Sequence, residues 1–215
     1  MGCASSTQIP SLPESQQVAP VEAEFCAAAI TTLRLRDRFW DSPDDEDFVI
    51  CDAEWGKDIF RIQGTTSAMK TLRDPHRKPI VHMKRELMAP VPTYNVFDAK
   101  PTAARLFTIK ALPELTVEFP SLTTGERCRM GLSGSWSKRQ ATIWLERGRK
   151  SRTTVGRIFR PSGSGSTATA RSSTASSASG SQQEEEYYLA IMGGVDMALM
   201  VLICAALEQA HSEKW

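Results

Sequence analysis

From Met197 to Leu207 the chain reads MALMVLICAAL, with apolar side chains on every helical face. A helix on a protein surface shows one apolar stripe, so a helix made of this stretch must be surrounded. Either lipid or protein could surround it. Runs of about 10–14 apolar residues are more often core helices, whereas a membrane span needs about 20. Extending the run upstream brings in Asp196 and the Gly193-Gly194 pair. Inside a bilayer that Asp would cost about 2.5–3.5 kcal/mol. At the first turn of a water-soluble helix it would instead meet the favourable end of the helix dipole. The pattern therefore predicts a buried core helix, and the rest of the chain has to supply its wall.

Elsewhere the apolar period is two. TLRLRDRF at 32–39 alternates apolar and basic residues, and strand candidates follow at 47–52 and 58–63 around Gly56. TSAMKTLRDPHRKPIVHMKREL repeats the plan around Asp74-Pro75. TYNVFDA, ARLFTIKAL and ELTVEFPS are three more candidates. RCRMGLSGSW, QATIWLERG and TTVGRIFRP extend the series, with Gly148 at the last turn, and EYYLAIM precedes the helix. Short strands at even spacing suggest a barrel or sandwich. About twelve strands and one helix suit a closed antiparallel sheet around the helix, since a closed sheet has no edge and an enclosed helix no exposed face.

Composition sets the boundaries. Residues 7–24, TQIPSLPESQQVAPVEAE, are rich in Pro, Gln, Ser and Glu and read as part of a flexible tether over residues 1–29. The barrel domain is expected over 30–209. Within it, PSGSGSTATARSSTASSASGSQQ at 161–183 reads as a disordered Ser-rich insertion, and 210–215 as a tail. Net charge is +1, unevenly placed: residues 26–161 hold 24 Lys and Arg against 16 Asp and Glu. That body would favour anionic partners. The five cysteines are widely spaced with no CxxC pair, which argues against zinc and disulfide frameworks and for a reducing compartment. The N-terminus shows neither the basic start nor the apolar core of a secretory signal.

Four stretches carry a resemblance. FVICDAEWGKDIFRI with MKTLRDPHRKPIVHMKREL resembles the opening hairpins of the LURP-one-related family. GSWSKRQATIWLERGRKSRTTVGRIFR is similar to its later strands, and YYLAIMGGVDMALMVLICAALEQ to its closing strand, turn and central helix. The resemblance covers about residues 30–209 apart from the Ser-rich insertion. It implies the tubby C-terminal-domain-like superfamily, to which phospholipid scramblases also belong, and a twelve-stranded barrel around a hydrophobic C-terminal helix. No phosphoinositide-binding motif of tubby proteins matches residue by residue, so no site is carried over.

The chemistry points to binding. His76, His82 and His211 are the only histidines, and none has a Cys or His at metal-ligand spacing. No GxSxG, Gly-rich phosphate loop or HExxH appears, so neither catalytic residues, nor a metal, nor a cofactor is expected. Basic clusters are the better candidates: His76-Arg77-Lys78, Lys84-Arg85, Lys138-Arg139 and the run Arg147, Arg149, Lys150, Arg152. Charged turns are often only solvated; as a rim, they would gain about 1 kcal/mol per Lys or Arg from an anionic membrane. Lys84, Arg85, Arg147, Arg149, Lys150 and Arg152 are the anionic-lipid candidates. The opening MGCASS fits M-G-x-x-x-[ST], making Gly2 a myristoylation acceptor, with Cys3 beside it placed for palmitoylation. One myristoyl chain binds with only about 10⁴ M⁻¹, so a second signal is needed, and Cys3 can supply it.

These readings converge on a non-enzymatic, membrane-tethered module at the cytosolic face of a membrane, with the plasma membrane as the expected one. It would recognise phosphoinositide, another anionic lipid or a signalling protein. A scramblase-like lipid transporter and a soluble domain with an unused acylation motif are the alternatives. Nucleic acid is not expected, because the basic residues are neither interleaved with aromatics nor set along one helix.

Overall fold

Alternation along each strand decides which side chains face in, and here it closes a wall. The computed structural model describes residues 12, 16–37, 48–66, 69–101, 103–121, 125–148, 152–161 and 186–212. The strands are β1 (Thr31–Arg36), β2 (Phe48–Asp52), β3 (Asp58–Thr66), β4 (Met69–Arg73), β5 (Pro79–Arg85) and β6 (Thr93–Asp98). They continue as β7 (Arg105–Lys110), β8 (Thr116–Pro120), β9 (Arg127–Ser135), β10 (Gln140–Arg147), β11 (Thr153–Phe159) and β12 (Glu186–Ile191). Each pairs antiparallel with its chain neighbours, and β1 pairs with β12 from Thr31↔Ile191 to Arg36↔Glu186, which closes the ring. Closure removes the edges at which sheets aggregate.

Helix α1 (Met197–Ser212) fills the barrel, and every residue from Ala198 to Ala210 is buried. Leu33, Ile50, Leu72, Val81, Val96, Ile109, Val117, Met130, Ile143, Ile158 and Leu189 reach it from the wall, each 1% exposed or less. Burying a Leu or Ile side chain stabilises by about 1.5–3 kcal/mol, so this contact shell is the main source of stability. The approach is close. A Cβ on Gly156 of β11 would sit 2.2 Å from the Met200 terminal methyl, so a larger residue there would make the end of the Met200 side chain move. The expected twelve-stranded barrel around a C-terminal helix is what the chain forms. No helix among the described residues is long and apolar enough to cross a membrane.

The meander gives the barrel two distinct rims. Odd-numbered strands run one way and even-numbered strands the other. Because α1 follows β12 through Met192–Asp196, its N-terminus lies at the rim where even strands end.

At that rim the structure corrects one expectation. Residues 1–29 read as flexible tether, yet residues 16–27 are built into the domain, with Val18, Ala19, Val21 and Ala27 buried. Backbone pairing holds them. Val18 bridges Val195 in parallel and Cys26 bridges Asp196 antiparallel, so the segment before α1 lies between two passes of the strap. The amides of Val18 and Ala27 donate to Gly194 and Val195 at 2.9 and 3.0 Å, and Asp196 donates back to Val18 at 2.9 Å. Composition scored the Pro and Gln content of this stretch but not the main-chain pairing, which carries no side-chain signature. Gly2 and Cys3 lie outside the described residues, as does the Ser-rich stretch from 162 to 185.

Candidate functional site

Strand parity decides where the basic residues go. Lys84 and Arg85 end β5, an odd strand, and so sit at the rim beside the C-terminus of α1. Arg147 ends β10, an even strand, and Arg152 begins the return, so both lie at the opposite rim. In the ring β5 and β10 are five strands apart. The structure therefore does not gather the candidates into one rim. Arg149 and Lys150 lie outside the described residues.

Their surroundings differ as well. The Arg147 guanidinium donates to the Gln16 carbonyl and so pins the strap. Arg152 lies 3.9 Å over the Trp144 ring and 3.4 Å from Glu146. Both do structural work. Lys84, by contrast, is exposed and has no partner among the described residues. It points outward with Met69 and Asn95 as register neighbours. The turn that follows carries Leu87, 74% exposed, and Met88, 93% exposed. Glu86 braces its base: its amide donates to the Thr93 carbonyl at 2.8 Å, and its carboxylate accepts from Asn95 at 3.1 Å. The result is a braced hairpin with two apolar side chains at its tip, Lys84 on its outer face and half-buried Arg85 on the other. His76, Arg77 and Lys78 are exposed in the turn before β5, at the far rim.

Arg139 is the largest departure from the surface-turn reading. It is buried and does not line a basic surface. Its guanidinium donates to Asp37 at 2.8 and 2.9 Å and also to Glu208. The Trp136 and Tyr187 rings flank it with centroids at 4.1 and 4.6 Å. Arg160 binds the other oxygen of Asp37. The cluster ties the end of β1, the β9–β10 turn and the end of β11 to the last turns of α1. Lys138, next to it, stays exposed.

The other end of α1 is closed by one carboxylate. Asp196 Oδ1 accepts from the amides of Ala198 and Leu199 at 2.8 and 3.1 Å, an N-cap. Oδ2 accepts from the Val21 amide at 2.9 Å, which locks the strap to the helix. Burial pushes this carboxyl up from 3.8 to about 7, against the pull of those amides. The sequence reading placed Asp196 at the first turn for its dipole; its second partner, 175 residues away, had no sequence signal.

Burial or hydrogen bonding holds several further titratable groups. Burial pushes the Cys26 thiol up to about 11, aided by Asp196, raises Cys128, and raises Cys204 well above the ordinary thiol range. Thiols so shifted carry little thiolate and are poor nucleophiles. His82 Nδ1 is taken by the Thr71 hydroxyl at 2.9 Å and His211 Nδ1 lies 2.8 Å from the Leu207 carbonyl. Among the described residues no group of three or more His, Cys, Asp or Glu could hold a metal ion. The β5–β6 hairpin thus presents exposed Leu87, Met88 and Lys84 at one rim of the barrel.

The family model described as LURP-one-related matches residues 31–208, most of the chain. No similar curated protein and no similar solved structure was found.

Proposed function

The chain belongs to the LURP-one-related family, and on that premise we propose that it is a non-enzymatic, membrane-tethered binding module that docks on anionic phospholipid at the cytosolic face of the plasma membrane. Family and barrel are consistent with a tubby-like lipid-binding domain. The observation that carries the finer reading is the β5–β6 hairpin. Leu87 and Met88 are, with Trp55, the large apolar residues exposed among those described. An apolar tip flanked by Lys84 and Arg85 suits a bilayer, where the tip enters the acyl boundary and the basic flank meets headgroups. Gly2 and Cys3 supply the tether. Leu12, whose amide is held by the Gly193 carbonyl, is ten steps along the chain from Gly2; those steps can span about 36 Å at most. Helix α1, with 16 residues, is about 24 Å long. An acylated N-terminus leaving one rim can therefore reach a bilayer at the other.

The scramblase-like alternative requires α1 to leave the barrel, exposing the apolar wall, and the enclosure of α1 argues against it. Co-sedimentation of the full chain with vesicles tests the reading. Binding should require anionic lipid, fall about fivefold for Lys84→Gln, as loss of about 1 kcal/mol implies, and fall further for the Leu87→Asp/Met88→Asp pair. In cells, Gly2→Ala should turn the protein cytosolic and Cys3→Ser should leave it partly bound and salt-sensitive. Equal binding to neutral vesicles, or wild-type membrane fractionation of Gly2→Ala, overturns it.

A further inference from the structure

The exposed apolar tips of the barrel lie at opposite rims. Leu87 and Met88 stand on the β5–β6 turn, beside the C-terminus of α1. Trp55, 78% exposed, stands on the β2–β3 turn, at the rim that the strap closes. The β3–β4 ladder ends at Arg61↔Arg73, so the β2–β3 hairpin runs on past it from Phe60 to Asp58.

The Trp55 turn is preformed. Asp52 Oδ1 accepts from the amides of Glu54 and Trp55, each at 2.8 Å. The Asp52 and Gly56 amides donate to the Lys57 and Asp52 carbonyls at 2.8 and 2.9 Å, and the Ala53 amide donates to Thr32 at 2.8 Å. Gly56 supplies the left-handed residue, with φ +65°. Every amide from Asp52 to Gly56 is thus satisfied within the protein, and burying the turn in a lipid interface strands no donor. Tryptophan is also a side chain that bilayer interfaces favour.

The surrounding charge suits anionic lipid. Across residues 52–58 and 73–78, Lys57, Arg77 and Lys78 are the exposed cations and Glu54 is the exposed acid. The other carboxylates there are engaged: Asp52 and Asp74 accept from amides of their own turns, and Asp58 pairs with Arg61 at 2.6 Å. The chain toward Gly2 leaves from this same rim, where Gly193 holds the Leu12 amide.

We propose that the Trp55 rim is a second contact surface for anionic bilayer, so that the barrel bridges two membranes, one at each rim. A flat bilayer cannot meet both tips, because the 16 residues of α1 set them about 24 Å apart along the barrel. Bridging rests on the hairpin reading above; the Trp55 contact stands without it.

Mixing the full chain with phosphatidylcholine vesicles that contain phosphatidylserine tests this, with binding read by co-sedimentation and bridging by vesicle clustering in light scattering. The wild type should bind and cluster. Trp55→Ser and the Leu87→Asp/Met88→Asp pair should each stay bound through the remaining rim. Each should cluster vesicles at least about tenfold less, since bridging needs both contacts at once. Brominated acyl chains should quench tryptophan fluorescence in the pair variant, and no longer do so once Trp55→Ser is added. Wild type that binds without clustering, or clustering unchanged in Trp55→Ser, overturns the proposal. Binding that the pair abolishes and Trp55→Ser leaves intact also overturns it, and the hairpin reading then stands alone. Binding lost in Trp55→Ser and untouched by the pair removes the hairpin reading and the bridge, and leaves the Trp55 contact. A dimer in solution that Trp55→Ser dissolves overturns the proposal too, by giving the rim to a second copy of the chain.

Discussion

The two ends of α1 are closed by opposite means. At its N-terminus a strap from residues 16–27 closes the barrel through main-chain hydrogen bonds, and one carboxylate, Asp196, gathers the amides of strap and helix with no ion pair among the described residues. At its C-terminus one guanidinium, Arg139, gathers two carboxylates and two aromatic rings. A carboxylate suits the positive end of the helix dipole. At the negative end the carboxylate Glu208 is unfavourable by itself, and Arg139 offsets it. The main-chain closure responds to loss of one acceptor, while the ionic closure leaves stranded charge when its centre is removed.

The ionic end should therefore break hardest. Arg139→Ala leaves Glu208 buried and Asp37 short of a partner, and removing one member of a buried ion pair costs about 3–5 kcal/mol. Chemical denaturation should show that loss. A cost under about 1 kcal/mol would mean the cluster is as dispensable as a surface ion pair. Asp196→Ala at the other end should cost less, about 2–4 kcal/mol: about 1 for the cap and about 1–3 for the Val21 amide left without its acceptor. Proteolysis within residues 16–27 should accelerate in that variant and not in Arg139→Ala, since the Asp196 side chain is bonded to the strap and Arg139 is not.

Acidity separates the ends further. The Asp196 carboxyl titrates near 7 in the fold, against 3.8 as its ordinary value. Between those values the folded protein holds a proton that the unfolded chain has released. The stability from this group is therefore full below about pH 4 and is lost as pH rises through about 7. The melting temperature should fall by a few degrees between pH 5 and pH 8, given that about 1 kcal/mol moves it by about 2–4 °C in a domain of this size. Asp196→Asn, which keeps a capping oxygen, should flatten the dependence. A slope that survives the substitution would place the titrating group elsewhere.

The wall and helix were legible because their signals are local: a period of two along the strands, and apolar residues on every face from Met197 to Leu207. The closures were not, because their partners are remote. Val21 and Asp196 are 175 residues apart, and Arg139 lies 102 residues from Asp37 and 69 from Glu208. In the sequence Arg139 looks like any basic turn residue. The basic candidates fared differently. Lys84-Arg85 and Arg147–Arg152 seemed one rim, but in a meander strands of odd and even number end at opposite rims, so strand parity already separated them. The exposed tip Leu87-Met88 had no periodic signal.

The smallest expected effect tests whether the ends are independent. Asp196 and Glu208 are twelve residues apart on one helix, about 18 Å along its axis. Asp196 binds Val21, Ala198 and Leu199 at one end, whereas Glu208 binds Arg139 at the other. Substitutions more than about 7–10 Å apart without shared partners add to within about 0.3–0.5 kcal/mol. The mild pair Asp196→Asn and Arg139→Lys keeps the domain folded enough for a double-mutant cycle by denaturant titration at pH 6. The coupling energy should stay below about 0.5 kcal/mol. A coupling above about 1 kcal/mol would mean that α1 shifts as a rod within the wall, so that loosening one closure relieves or strains the other. The barrel would then have to be regarded as one clamped helix with two handles.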